Sequence, residues 1–123
     1  MLDESRVSHI SKSPKTDKPW GYEVLWAESK DYVAKLMHIN AGERMSLQFH
    51  QKKEETIYVM NGLLAVWESE DDNDYQLFSP GSIYHVKPGQ VHRFGAKESA
   101  VMLMEVSTNH LEDVIRISDD YKR

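Results

Sequence analysis

The sequence contains no cysteine among its 123 residues. Disulfide bonds, thiol catalysis and thiolate metal ligands are therefore excluded. A chain without disulfides fits a reducing compartment, and we accordingly expect a cytoplasmic protein.

Long apolar runs and an excess of positive charge are also missing. No stretch approaches the roughly 20 apolar residues that a membrane-spanning helix needs. Residues 1–18 are polar and charged, so we expect neither membrane association nor a signal peptide. The formal net charge is -5 and the sequence has no basic stripe, which disfavours nucleic acid as a partner.

Short strand patterns separated by turn residues dominate the chain. We predict strands over residues 22–27, 32–40, 45–50, 55–60, 63–68, 75–78, 82–86, 92–95, 100–107 and 114–117. Many short strands at near-regular spacing are typical of an all-β barrel or jelly roll. Residues 1–17 carry few apolar side chains and are predicted to be a flexible N-terminal arm, which leaves residues 18–123 as the single domain.

Four side chains have the spacing of a metal site. Gln48 and His50 alternate on one predicted strand and therefore project from the same face. Glu55 opens the next strand, which can fold back as a hairpin partner, and His92 follows a turn at residues 87–90. Two nitrogen and two oxygen donors suit zinc, manganese, iron, cobalt or nickel, whereas a closed structural zinc site usually uses thiolates.

The same strand alternation predicts the direction of the side chains next to these ligands. Arg44 and Ser46 share the inward face, and Met45, Leu47 and Phe49 point to the opposite face. An exposed apolar row needs a cover. We therefore predict a homodimer with Met45, Leu47 and Phe49 near its interface.

Two glycine-bounded motifs resemble those of the cupin superfamily. The first, G-x5-H-x-H-x(3,4)-E-x6-G, matches residues 42–62, with Gln48 in place of the first histidine. The second, G-x5-P-x-G-x2-H-x3-N, matches residues 81–96, with Lys87 in place of proline and Ala96 in place of asparagine. This resemblance implies the cupin double-stranded β-helix, a jelly-roll barrel.

Further stretches resemble the type II phosphomannose isomerase domain, a cupin whose metal ligands are Gln, His, Glu and His. Residues 18–23, Lys-Pro-Trp-Gly-Tyr-Glu, resemble that family's R-P-W-G-x-Y-E, and residues 42–48 resemble its P-G-E-R-L-S-L-Q. Residues 112–116 and 119–123 resemble its closing E-D-D-I-V-R and E-D-D-Y-G-R.

The resemblance implies an enzyme, a metal-dependent intramolecular oxidoreductase that interconverts an aldose phosphate and a ketose phosphate. The implied pair is mannose 6-phosphate and fructose 6-phosphate. One divalent ion, zinc before manganese, cobalt, nickel or iron, would be held by Gln48, His50, Glu55 and His92.

A sugar phosphate needs cationic partners for its dianion. We predict Lys35, Arg44, Lys53 and Arg93 as substrate-binding residues. Arg44 is preferred because it shares the strand face of the ligands, and Arg93 because it directly follows a ligand.

Arg44, Arg93 and Glu105 are the predicted catalytic residues. The reaction also needs a base that moves a proton between two carbons. The sequence does not single out that base, for which Glu54, Glu105 and His85 are the candidates.

Two other functions stay open. Cupin dioxygenases usually carry three histidines and one glutamate, and Gln48 departs from that set. A non-catalytic sugar-binding or regulatory cupin is favoured by residues 53–57, which read K-E-E-T-I where the isomerases have R-A-E-H-W. The isomerase domain is often fused behind a nucleotidyltransferase, and we expect no guanylyltransferase activity because the sequence contains no such domain.

Overall fold

Nearly all regular structure in the protein is β-strand. The computed structural model describes residues 2–123. Its strands are β1 (Lys15–Lys18), β2 (Gly21–Glu28), β3 (Val33–Ile39), β4 (Leu47–Phe49), β5 (Glu55–Asn61), β6 (Leu64–Trp67), β7 (Tyr75–Phe78), β8 (Ile83–Val86), β9 (Arg93–Ala96), β10 (Val101–Ser107) and β11 (Ile115–Ser118). Two 3-10 turns, Glu4–Arg6 and Ile10–Lys12, precede them. Over residues 2–123 we find no helix with the length and apolarity to cross a membrane.

The strands form two opposed antiparallel layers. The first is a six-stranded sheet in the order β1-β2-β3-β10-β5-β8. The second contains β7-β6-β9 and β11-β4. Isolated bridges between Arg44 and Gly95 and between Gln48 and His92 join these two parts side by side.

One apolar core lies between the layers, as strand alternation requires. Ile57 and Val59 of β5 and Leu103 of β10 are at most 1% exposed, whereas Tyr58 and Val106 on the outer face are 48% and 51% exposed. This arrangement confirms the predicted all-β double-stranded β-helix.

Every predicted strand is present, with ends within two residues of the prediction, but β1 was not foreseen. Its sequence, Lys-Thr-Asp-Lys, has no apolar alternation and gains its structure by pairing with β2, Lys15 opposite Val24 and Lys18 opposite Gly21. The sheet thus begins at Lys15, inside the segment predicted to be a flexible arm, and the division into an arm and a domain stays a prediction.

An extra residue before β4 reverses the predicted alternation there. Arg44 pairs with Gly95 and Gln48 pairs with His92, so four steps along one strand match three along the other. A β-bulge of this kind switches the face to which side chains point. Met45 consequently packs in the core, 8% exposed.

The predicted inward direction of Arg44 is therefore wrong. The predicted exposed apolar row is wrong as well, because Met45 lies in the core and Leu47 is 1% exposed within the single chain. The homodimer itself stays a prediction.

Two motif glycines offer a matched test of backbone geometry. Gly62 and Gly81 have φ values of +80° and +93°, a region that costs other residues about 1–2 kcal/mol. A Cβ at Gly62 would also collide with the carbonyl oxygen of Ala100, whereas a Cβ at Gly81 meets open space. We expect both alanine variants to lower the free energy of unfolding in urea, and Gly62→Ala to lower it more. Equal losses would contradict the collision.

Candidate metal centre

Three of the predicted ligands meet at one end of the core. His50 follows β4, Glu55 opens β5 and His92 precedes β9, and each offers one donor atom within 4.8 Å of the others. Glu55 Oε1 lies 3.6 Å from His50 Nε2 and 3.2 Å from His92 Nε2. All three residues are at most 3% exposed, so water is largely excluded from their donor atoms.

The hydrogen bonds of the two imidazoles fix which nitrogen is free. His50 Nδ1 bonds to the carbonyl oxygen of Asp113, and His92 Nδ1 lies 2.9 Å from that of Gln90. Since a carbonyl only accepts, each Nδ1 carries the proton and each Nε2 keeps its lone pair. Both Nε2 atoms are buried without a hydrogen-bond partner, a costly arrangement unless a ligand completes it.

Gln48 adds an oxygen donor beside these nitrogens. Its backbone N–H and carbonyl both bond to His92, at 3.0 and 2.9 Å, so the two side chains share a face. Ser46 Oγ donates to Gln48 Oε1 at 2.6 Å, which orients the amide and leaves its second lone pair available. Two nitrogens and two oxygens therefore fit a divalent ion, with the second partners of the histidines already in place.

Asp113 holds the loop that connects His50 with Glu55. Its carboxylate accepts the backbone N–H groups of Gln51, Lys52 and Lys53 at 3.0, 2.7 and 2.9 Å. These hydrogen bonds lower the pKa of Asp113 to about 2, and the bond from Lys52 has the largest effect. One residue thus fixes the path of the loop and, through its carbonyl, the orientation of His50.

A buried cluster of charges lies directly behind the candidate ligands. Lys53 Nζ is 3.2 Å from Glu55 Oε2 and 3.3 Å from Glu105 Oε2. Burial and the neighbouring Glu55 charge raise the pKa of Glu105 to about 8. Burial would also raise the pKa of Glu55, but its hydrogen bond with Glu105 and the charge of Lys53 hold it well below its usual range. Glu105 therefore carries the shared proton near neutral pH, and Glu55 is ionised as a metal ligand must be.

Two of the candidate ligands, Gln48 and His50, line a pocket between the layers. Its walls include the predicted residues Lys35, Gln48, His50, Lys53 and Glu105. Lys53 and Glu105 line the end near the ligands, and Lys35 Nζ pairs with Glu23 at 3.1 Å. These two lysines, which the sequence ranked below the arginines, are thus the predicted cations that reach the pocket.

Arg44 and Arg93 lie outside that pocket. Arg44 pairs with Asp120 and Asp72, and hydrogen bonding to Asp120 raises its pKa. Arg93 follows His92 on a strand and so points to the opposite side, where it is 2% exposed and donates to the carbonyl oxygen of Ser118 at 2.9 Å. Burial, and then the charge of Arg44, lower the pKa of Arg93. The geometry gives neither arginine contact with a ligand in the pocket.

Two of the three candidate bases also lie elsewhere. Glu54 and His85 pair with each other at 2.8 Å, both about half exposed, on the outer side of the six-stranded sheet. Only Glu105 of the three lines the pocket.

Several charged residues of the pocket were not predicted as site residues. They are Lys18, Glu23, Asp113, Arg116 and Arg123. All five lie in the opening and closing stretches whose sequences resemble the isomerase motifs. That resemblance was the available signal, because strand alternation cannot show which distant segments meet.

The family described as "Mannose-6-phosphate isomerase C-terminal" matches residues 5–119. The chain belongs to this family. Membership agrees with the sequence motifs and with the cupin barrel, and it covers the whole candidate metal centre. A comparison with curated proteins finds no match.

Solved structures similar to this family member are diverse cupins. An RmlC-like cupin from Shewanella frigidimarina has 16% identity and a TM-score of 0.74, covering 87% of this chain and 93% of that one. KdgF from Halomonas sp. has 18% identity and a TM-score of 0.68, with coverages of 80% and 89%. The polyketide cyclase RemF from Streptomyces resistomycificus has 15% identity and a TM-score of 0.75, with coverages of 95% and 86%. Identities this low establish a shared fold alone.

Removing one imidazole tests the metal centre. We expect the purified protein, loaded with zinc or cobalt and desalted, to retain one ion per chain, and His50→Ala to retain none because a buried ligand is lost. His85→Ala is the matched control, since His85 pairs with Glu54 outside the site. Elemental analysis gives the ion content. Full metal retention by His50→Ala would exclude this centre.

Removing the Asp113 carboxylate tests the loop that holds the ligands. Asp113→Ala frees three backbone N–H groups, and we expect metal affinity to fall roughly 10–100-fold, as for other residues that orient ligands. Glu112→Ala removes the same charge one residue earlier without touching the loop. Isothermal titration compares the zinc affinities of the two variants. Equal affinities would show that the loop keeps its conformation without the Asp113 carboxylate.

Proposed function

We propose that this protein is a metal-dependent sugar-phosphate isomerase that interconverts mannose 6-phosphate and fructose 6-phosphate. The observation that carries the proposal is that Glu105 and the candidate ligands Gln48 and His50 line the same pocket. Family membership favours the same substrate pair.

Aldose–ketose isomerisation moves a proton between carbons 1 and 2 of the sugar. Glu105 suits this task because a carboxyl with a pKa of about 8 can both accept and return a proton near neutral pH. Lys53 Nζ, 3.3 Å away, stabilises the carboxylate form that takes up the proton from carbon 2 and that is restored when the proton is delivered to carbon 1. A divalent ion, when bound, supplies Lewis-acid polarisation of the substrate carbonyl.

The charge of the pocket suits an anionic substrate. Cations in its walls are Lys18, Lys35, Lys53, Arg116 and Arg123, whereas its acids are Glu23, Glu105 and Asp113. The Asp113 carboxylate is already taken up by three backbone N–H groups. A positive cleft in a chain of net charge -5 attracts a phosphate dianion to this one place.

The isomerase proposal is tested by following fructose 6-phosphate formation from mannose 6-phosphate. Protein stripped of metal and reloaded with zinc, manganese, cobalt, nickel or iron should regain turnover with at least one ion. Binding of metal and sugar phosphate without turnover under any ion would contradict isomerisation and favour a sugar-binding cupin instead.

Glu105→Gln keeps the shape of the side chain and removes its ability to take up a proton. We expect kcat to fall about 10²–10⁴-fold, the usual contribution of a general base, while the metal content stays that of the parent. Glu54→Gln is the matched control on the outer face of the sheet. Unchanged kcat in Glu105→Gln would assign the proton transfer to another group.

A further inference from the structure

The C-terminal segment, residues 115–123, forms one wall of the pocket. Its first half is β11, which pairs with β4 and places Arg116 opposite Gln48. Opposed residues of antiparallel strands share a face, so Arg116 points to the same side as the candidate ligand Gln48. Arg123, at the other end of the segment, lines the same pocket.

We propose that Arg116 and Arg123 bind the phosphate group of the substrate, and that Arg44 positions Arg123 by fastening the end of the C-terminal segment. This inference rests on the proposed function, since it names the residues through which that site holds its anion.

Arg116 is the cation of the pocket whose charge is least neutralised by carboxylates of the protein. Lys18 and Lys35 share Glu23, at 3.8 and 3.1 Å, and Lys53 lies between two carboxylates. Within residues 2–123, Arg116 forms no ion pair. Its planar guanidinium is therefore free for the bidentate hydrogen bonds that phosphate favours.

Arg123 is held in place but keeps donors for a ligand. Its Nε pairs with Asp119 at 2.9 Å, and its backbone N–H donates to the same carboxylate. A guanidinium has five N–H donors, so the two terminal nitrogens remain available. Asp119 thus orients Arg123 without consuming its capacity for an anion.

Side chains of the second layer fasten the segment where strand pairing ends. Arg44 grips Asp120 with two parallel bonds, Nε to Oδ2 at 2.7 Å and Nη2 to Oδ1 at 3.0 Å. Arg93 donates to the carbonyl oxygen of Ser118 at 2.9 Å, and Tyr121 donates its hydroxyl to Glu43. Because no strand pairing continues past Ser118, these contacts decide where Arg123 lies.

Gly95 makes room for the Arg44 grip. A Cβ at Gly95 would lie 2.7 Å from the Arg44 Cβ and 2.9 Å from the Trp67 ring. Without that atom, the Arg44 guanidinium packs 5.3 Å from the Trp67 ring centroid and reaches Asp120. The bulge that turns Arg44 away from the pocket therefore gives it a role in holding the pocket wall.

The phosphate contacts are tested by titrating the zinc-loaded protein with mannose 6-phosphate, inorganic phosphate and mannose. Arg116→Gln and Arg123→Gln should each weaken binding of the two phosphates about 10–100-fold, the usual effect of losing charge-assisted bonds, and leave zinc affinity unchanged. Mannose, which has no phosphate, should bind the variants as it binds the parent. Lys122→Gln removes the same charge from the same segment, does not line the pocket, and should bind phosphates normally.

The positioning role of Arg44 is tested with a matched set of variants. Asp120→Asn loosens the grip and leaves the packing of Arg44 on Trp67 in place, so it should raise KM for mannose 6-phosphate while kcat stays near the parent value. Asp72→Asn removes the other Arg44 partner, which lies outside the C-terminal segment, and should leave KM unchanged. In an Arg116→Gln, Arg123→Gln background, Asp120→Asn should have no further effect. A further rise in KM there would show that the grip acts on the fold at large and overturn the positioning role.

The outcomes separate this inference from the proposed function. Phosphate affinity lost in the arginine variants, in a protein that shows no turnover, would support the anion site and overturn only the isomerase. Turnover with parent KM in Arg116→Gln and Arg123→Gln would overturn the anion site and leave the isomerase standing. Failure of the metal-loaded parent to bind either phosphate would overturn both.

Discussion

The cross-strand row Arg116–Gln48–His92 is the constraint on which the site depends. Gln48 pairs with His92 on one side and with Arg116 on the other, so three strands place these side chains on one face. Two candidate ligands and one free cation are thereby held side by side by backbone hydrogen bonds. A slip of β4 by one residue would turn Gln48 to the other face, away from His92 and Arg116.

Burying charge at this site is unfavourable for the fold taken alone. Lys53, Glu55 and Glu105 are at most 6% exposed, and the attraction between buried charges often fails to offset their lost hydration. The arrangement instead resembles a site prepared for a reaction: one ionised carboxylate for a metal, one carboxyl with a pKa of about 8 for a proton, and a lysine between them. The two imidazole nitrogens without a hydrogen-bond partner also indicate a prepared site, because one bound metal ion would satisfy both.

Much of the fold follows from local sequence, and part of the site does not. Alternation and turn residues located ten of the strands, and motif spacing brought His50, Glu55 and His92 together, since these signals act over a few residues. Strand β1 was missed because its order comes from its partner. The direction of Arg44 was wrong because a bulge, which leaves no mark in the alternation, reversed it. Arg116 reaches the pocket because β11 pairs with β4, and Arg123 because Arg44 holds Asp120. Both contacts join residues some 70 positions apart, which no local sequence pattern predicts.

The most direct test of the account follows a labelled proton. Mannose 6-phosphate carrying deuterium on carbon 2 is incubated with the metal-loaded protein, and the position of the label is read by nuclear magnetic resonance. We expect deuterium to leave carbon 2 and to appear on carbon 1 of fructose 6-phosphate or in the solvent, because Glu105 takes it up and either returns or exchanges it. Deuterium that stays on carbon 2 while the sugar phosphate is bound would contradict proton transfer in this pocket.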